Sequence, residues 1–222
     1  MNTYFVTGTG TGIGKTFSTG VLAKAASGAG ARTAVMKPVQ TGLERPEDGD
    51  IGCVATMAPL VLKLPSDLAC PYCLKFESSP HLAAAKEGIV IDFGRIRAAY
   101  DKVVSDFSPD LVLLEGAGGL IVPIDEKRMM ADLIGYLGFP VILTATAGLG
   151  TINHVMLSLN ELERRNIPVA GICINLMPSH PSEIETDNVE MIRKLSGLPV
   201  LTVISESSSL LSPVFTEVHK IW

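Results

Sequence analysis

The run Gly8-Thr9-Gly10-Thr11-Gly12-Ile13-Gly14-Lys15-Thr16 decides how this 222-residue chain is read. A short apolar strand signal, Tyr4 to Thr7, stands ahead of it, and a helical pattern from Lys15 to Ser27 follows. A glycine-rich loop at a strand-to-helix junction, closed by Gly-Lys-Thr, is what phosphate binding requires. Its backbone N–H groups turn inward on phosphate oxygens and the helix N-terminus adds a positive field. Lys15 then reaches the β- and γ-phosphates, and the Thr16 hydroxyl can ligate Mg²⁺. One glycine departs from the strict spacing: counted back from Gly14 it would fall at Thr9, and Gly8 sits one place early. A dinucleotide fold is disfavoured, because no G-x-G-x-x-G can be laid on the loop and the second strand ends in Lys37 instead of an acidic residue.

Outward from the loop, apolar runs alternate with helical patterns, the signature of repeated βα units. Strands are expected at Tyr4–Thr7, Thr33–Lys37, Leu111–Glu115, Val141–Ala145, Val169–Asn175 and Val200–Val203. Helices are expected at Lys15–Ser27, Asp50–Met57, His81–Lys86, Asp92–Phe107, Met130–Tyr136, Thr151–Arg165 and Ile184–Leu195. Most strand runs are continuously apolar, so both sheet faces should be covered by helices. The expected fold is α/β, a three-layer, doubly wound, mostly parallel sheet of the P-loop NTPase type, with residues 1–222 as one domain. Pro59 to Ser79 has no clear period and reads as an excursion from it. The serines at 205, 207, 208, 209 and 212, before Pro213, read as a solvated loop.

Composition narrows the partners. The chain is 47% hydrophobic, carries 18 Lys plus Arg against 23 Asp plus Glu, and has a formal charge of −5. No run of basic residues is present to neutralise a nucleic-acid backbone. No apolar stretch approaches the roughly 18 residues of a membrane span, and no basic segment precedes an apolar one at the N-terminus, so a cytoplasmic protein is expected. The four cysteines are expected as reduced thiols. Cys70-Pro-Tyr-Cys73 has the spacing of a glutaredoxin motif, but Pro65-Ser-Asp before it and Leu74-Lys-Phe after it supply neither the strand nor the helix that motif needs. Zinc lacks a second pair of ligands.

Two further stretches carry chemistry. Asp110-Leu-Val-Leu-Leu-Glu115-Gly-Ala-Gly-Gly119 is a buried strand ending in a carboxylate and a glycine-rich loop, where an open α/β sheet gathers its ligand groups. Glu115 is accordingly a Mg²⁺ ligand candidate. Met36-Lys37-Pro-Val-Gln-Thr41-Gly ends the second strand at the same edge, where a second lysine can hold developing charge on phosphoryl oxygens.

Taken together, Tyr4-Phe-Val-Thr-Gly-Thr, Gly12-Ile-Gly-Lys-Thr, Lys37-Pro-Val, Ser79-Pro-His81-Leu-Ala, Glu115-Gly-Ala-Gly-Gly and Ile152-Asn-His154 resemble the dethiobiotin synthetase family, in that family's order from residue 4 to about 175. The resemblance implies a homodimer that closes the ureido ring of dethiobiotin from 7,8-diaminononanoate, CO₂ and ATP with Mg²⁺. A substrate amine captures CO₂ as a carbamate, the γ-phosphoryl group moves to it, and the second amine displaces phosphate. It further implies metal ligands at Thr16, Asp50 and Glu115, with Asp48 a near competitor for Asp50, and catalytic charges at Lys15 and Lys37. Nucleotide contacts would come from Gly12, Ile13, Gly14, Lys15, Thr16, Asp50, Glu115, Gly118 and Asn175, the last as the adenine-contacting amide. Substrate contacts would come from Thr11, Lys37, Thr41, Gly150, Thr151 and Asn153, the last three at a helix opening that takes the substrate carboxylate across the dimer interface. His81 and His154 are expected as polar residues of first helical turns. The loop departs from the family pattern at Gly10, where an Asp is common, and at Gly12, where some members carry an acidic side chain.

A partitioning-type P-loop ATPase switch is the alternative function. That group carries a signature lysine where this chain has Gly10, and many of its members add a C-terminal membrane helix. Cobyrinate amide synthases share a similar loop but continue into a glutamine-hydrolysing domain, for which 222 residues leave no room.

Overall fold

The structure is a computed structural model describing residues 1–205 and the backbone of a two-residue strand at 214–215. Its centre is a seven-stranded sheet in the order β2-β5-β1-β6-β7-β8-β9. These strands are β1 (Asn2–Gly8), β2 (Thr33–Met36), β5 (Leu111–Glu115), β6 (Val141–Thr146), β7 (Val169–Met177), β8 (Val200–Ser205) and β9 (Val214–Phe215). All neighbours run parallel except β8 and β9.

Both faces of the sheet are buried, as the continuous apolar runs require. Along β5, Leu111 and Leu113 point to one face, with Leu22, Ala23 and Ala26 of α1 (Lys15–Gly28) and Val54 of α2 (Asp50–Met57). Val112 and Leu114 point to the other, where α5 (Phe93–Phe107), α6 (Met130–Leu137) and α7 (Thr151–Arg164) supply the cover. Helix α5 buries Ile96, Ala99, Tyr100 and Val103, one stripe at i, i+3, i+4 and i+7. The Asp92 side chain caps its first turn by accepting from Gly94 N at 2.8 Å. It ends at Ser108, in a left-handed conformation just before Pro109. Helix α8 (Glu183–Ser196) opens with a Ser182–Glu185 capping box. Each fully buried leucine of this core is worth about 1.5–3 kcal/mol in area removed from water.

The excursion between β2 and α5 is more structured than its sequence suggests. A second, two-stranded parallel sheet pairs β3 (Val39–Thr41) with β4 (Tyr72–Leu74), and between them lie a 3₁₀ turn (Pro46–Asp48), α2 and the single-turn α3 (Ser66–Ala69); α4 (Pro80–Glu87) follows. Three-residue strands leave too little pattern to detect. The second main strand ends at Met36 rather than Lys37, because the Lys37 N–H leaves the ladder to bond Ala69 O at 2.7 Å. Ser205 ends β8 and is not part of a loop; Ser207, Ser208, Ser209, Ser212 and Pro213 lie outside the described residues. Among the described residues no helix is long and apolar enough to cross a membrane.

Cys70 and Cys73 stand at the β4 end of the excursion, with Sγ atoms 3.4 Å from the carbonyls of Tyr72 and Leu43. Burial pushes the Cys70 thiol up to about 12, which leaves no thiolate for redox exchange.

Candidate active site

Sheet register assembles the site. Met36 pairs with Leu114 and Val6 with Glu115, so the residues that follow, Lys37 and the Gly8–Thr16 loop, emerge beside Glu115 at the carboxyl ends of three adjacent strands. That edge is where a doubly wound sheet binds ligands. The glycine loops after β1 and β5 lie against each other: a Cβ on Gly119 would stand 3.4 Å from Gly8 O. Gly14 has φ +82°, and a Cβ there would fall 1.6 Å from Asn175 Nδ2, so only glycine fits the start of α1.

A cavity of about 400 Å³ opens above these loops, lined by Thr11, Gly12, Gly14, Lys15, Thr16, Lys37, Val39, Gln40, Thr41, Asp50, Glu115, Ala117 and Gly118. Thr16 Oγ1 lies 2.9 Å from Asp50 Oδ1 and 2.9 Å from Glu115 Oε1. One hydroxyl proton cannot serve two carboxylates, but the spacing suits a cation. At metal–oxygen distances of 2.0–2.1 Å, adjacent corners of an octahedron are about 2.9 Å apart. Glu115 Oε2 is buried without a partner, a further acceptor facing no protein donor. Among the described residues no group of three or more His, Cys, Asp or Glu side chains is placed to hold a metal ion by itself. Two carboxylates and a hydroxyl suit a hard cation that keeps water or phosphate for its remaining positions.

The lysines are both buried, Lys15 to 8% and Lys37 to 4% exposure. Lys15 Nζ rests on Gly10 O at 2.8 Å. Burial, then repulsion from Lys37, lowers its pKa to about 8 against the pull of Glu115 and Asp50. Burial also works against the Lys37 charge, but Glu115 and Asp50 outweigh it and hold its pKa above the ordinary lysine value. Its ammonium lies 2.6 Å from Asp50 Oδ2 and 2.8 Å from Glu115 Oε1. Burial raises and Lys37 lowers the Asp50 carboxyl, with a net depression. The two cations and two anions balance.

Most of the expected phosphate-side residues meet in this cavity, and Thr41 joins them. Asp50, not Asp48, enters it; Asp48 is held at the surface by Arg45 at 2.7 Å. Asn175 stands at the neighbouring strand end, donating Nδ2 to Ile13 O at 3.0 Å and Gly14 O at 3.4 Å, so its amide braces the loop from below. A Cβ at Gly10 or Gly12 would meet open space, but Gly12 holds φ +74°, a left-handed backbone that favours glycine.

Gly150, Thr151 and Asn153 do not line the cavity. The Thr151 hydroxyl is turned inward, donating to Thr146 O at 2.5 Å, and Thr151 is 1% exposed. Asn153 and His154 are exposed on the first turn of α7, and His81 Nδ1 pairs with Ser79 Oγ at 2.9 Å. A second cavity of about 310 Å³ lies on the other flank of the loop, lined by Thr9, Gly10, Thr11, Gly119 to Val122, Leu157, Ser158 and Glu161. Thr11 belongs to both cavities. Sequence reasoning missed Val39 and Gln40 as wall residues and missed the second cavity altogether. The Lys37-Pro-Val-Gln-Thr block pointed at the first pair, but nothing local marked the second cavity.

Comparison with known proteins bears on this geometry. A family model described as an AAA domain matches residues 2–214. The ATP-dependent dethiobiotin synthetase of Anoxybacillus flavithermus is 35% identical over 202 residues, 90% of this chain and 90% of its own length. That of Chlorobaculum tepidum is 38% identical over 213 residues, 93% of this chain and 87% of its own. Among solved structures, the signal recognition particle 54 kDa protein of Aeropyrum pernix in complex with GDP superposes with a TM-score of 0.64 at 15% identity, over 99% of this chain and 44% of that one. At that identity the likeness is one of fold alone.

Proposed function

The chain belongs to the ATP-dependent dethiobiotin synthetase family, and from that premise we propose that it closes the ureido ring of dethiobiotin from 7,8-diaminononanoate, CO₂, ATP and Mg²⁺. It is an ATP-dependent ligase of biotin biosynthesis. The observation that carries the reading is the convergence of Thr16, Asp50, Glu115 and Lys37 at the mouth of the Gly8–Thr16 loop, all within 2.9 Å of a neighbour in the set.

In this reading the loop N–H groups and Lys15 hold the triphosphate, and Thr16, Asp50 and Glu115 would hold Mg²⁺, which would supply positive charge to the phosphate oxygens. One amine of the substrate adds to CO₂ and loses a proton, giving a carbamate. A carbamate oxygen attacks the γ-phosphorus in line, the bond to ADP breaks, and a carbamic–phosphoric anhydride forms. The second amine then attacks the carbamoyl carbon, phosphate leaves with the anhydride bond pair and takes up the proton that the amine gives up, and the ring is closed. Lys37 faces the phosphoryl oxygens during transfer, and Thr41 orients the acceptor. The chain mainly positions reactants and stabilises phosphoryl charge; orientation of this kind is worth about 7–11 kcal/mol.

The second cavity continues the site past Thr11 and suits the aliphatic part of the acceptor. Ile121 and Leu157 in its lining are exposed, at 54% and 59%. A homodimer would cover this apolar surface and bring the partner's α7 opening, with the positive end of its helix dipole, to the substrate carboxylate. Asn175 would present its amide oxygen to adenine while Nδ2 stays on the loop.

Incubating the purified protein with ATP and ¹⁴CO₂, with and without 7,8-diaminononanoate, tests the proposal. Label in dethiobiotin and diamine-dependent ADP release are expected. ATP hydrolysis indifferent to the diamine would instead favour the switch-type ATPase.

A further inference from the structure

Ring closure asks Lys37 to face the transferring phosphoryl group, yet its ammonium is already engaged by protein acceptors. It lies 2.6 Å from Asp50 Oδ2, 2.8 Å from Glu115 Oε1 and 3.0 Å from Gly116 O. An ammonium has three N–H donors, and here three acceptors take them. The same Glu115 Oε1 and the same Asp50 carboxylate are those that Thr16 Oγ1 approaches at 2.9 Å and that would hold a divalent cation with it. Lys37 and a divalent cation are therefore rivals for one pair of carboxylates.

We propose that Lys37 is the resident counter-cation of the metal carboxylates. It keeps Asp50 and Glu115 gathered in the nucleotide-free protein, resists a free divalent cation, and yields to one that arrives on nucleotide phosphates. The reason is the fate of the displaced charge. The Lys37 side chain is 5% exposed, so an ammonium pushed off the carboxylates with no new acceptor would be a buried, unpaired ion. Bound phosphates remove that penalty by offering oxygens on the side the lysine turns to. They also complete the cation's coordination. Metal and nucleotide binding are thus coupled through one side chain, and the exchange that seats the metal also aims Lys37 at the acceptor. A coupling of this kind is reciprocal: nucleotide tightens metal as much as metal tightens nucleotide.

The inference rests on the proposed metal site, and the experiment separates the two. Mn²⁺ serves as the probe, with the free ion counted by electron paramagnetic resonance on the whole chain, with and without a non-hydrolysable ATP analogue. Wild-type protein should bind Mn²⁺ weakly alone and tightly with the analogue. Lys37→Met, which removes the rival charge, should bind Mn²⁺ alone at least about tenfold more tightly, as loss of a unit charge a few ångströms away requires. Lys37→Arg, which keeps the charge, should stay weak. Equal affinities for free Mn²⁺ in wild type and a folded Lys37→Met would overturn the counter-cation. So would wild-type protein that binds Mn²⁺ equally well with and without the analogue, a measurement that stands even where circular dichroism shows Lys37→Met unfolded. Tight Mn²⁺ binding with the analogue that is unchanged in Glu115→Gln would instead remove the proposed metal site itself, and the counter-cation with it.

Discussion

The two walls of the 400 Å³ cavity place lysines of similar burial in opposite electrostatic situations. On the wall made by Gly8–Thr16 and the start of α1, Lys15 has a backbone carbonyl as its hydrogen-bond partner, and its pKa is lowered to about 8. On the wall made by Lys37, β3 and the start of α2, Lys37 is matched to two carboxylates and its pKa is raised. An ammonium held short of counter-charge is poised to accept an anion, whereas one already paired must first exchange partners. The first wall is therefore a phosphate receptor waiting for its ligand, and the second is a closed set that the ligand has to open.

Substitutions can break that contrast. The largest effect is expected from Lys15→Ala, which removes the buried cation that has no carboxylate hydrogen-bonded to it: turnover should fall about 10³-fold or more, with melting temperature and circular dichroism close to wild type. Turnover unchanged in the folded variant would remove the phosphate-loop assignment. Lys37→Gln should lower dethiobiotin formation by about 10²–10³-fold while ATP affinity, measured by calorimetry on the same preparation, weakens much less. Equal losses in both would make the walls alike. Glu115→Gln, which keeps the shape and removes a charged oxygen ligand, should raise the Mg²⁺ concentration needed for half-maximal rate by about tenfold. An unaltered Mg²⁺ titration would move that role elsewhere.

A smaller effect sharpens the comparison through pH. Because the Lys15 pKa is depressed in the free protein, its ammonium is lost as pH rises through about 8. Bound phosphate restores the charged form, so ATP affinity should be flat below that pH and fall by up to about tenfold per unit above it, with a proton taken up on binding. Calorimetry in buffers of different ionisation enthalpy measures the proton directly; no uptake at pH 9 would place the Lys15 pKa elsewhere. The smallest effect belongs to the cysteines. Cys70→Ser with Cys73→Ser should leave ring closure unchanged, since burial holds Cys70 as the thiol, and a large loss in a folded double variant would give the pair a role.

The walls also differ in how far they can be read from sequence. Gly8–Thr16 is written locally: loop, cap and helix are contiguous, and Glu115 follows from an apolar strand with an acid at its end. Lys37 was legible as a lysine at a strand end but gained its weight from the family resemblance, and Asp50 was reached through that resemblance alone, because strand ends offer many solvated charges and only register brings these two together. The β3 and β4 strands were missed, since each is three residues long and exists only by pairing with the other across some thirty intervening residues. The α7 opening was placed correctly as a helix start, but the inward turn of the Thr151 hydroxyl depends on the position of the Thr146 carbonyl at the end of β6, which no local pattern encodes.

The β3–β4 pair belongs to a sheet of its own, separate from the seven-stranded one. A change in its length or register breaks no rung of the main ladder that carries the Gly8–Thr16 loop and Glu115. The chain between its two strands nevertheless carries Asp50 to Thr16 and Lys37, so the segment behaves as a cassette with one fixed peg: a graft that keeps the Asp50 carboxylate in place would alter which acceptor is admitted beside Thr41 while the phosphoryl donor side keeps its oxygen ligands.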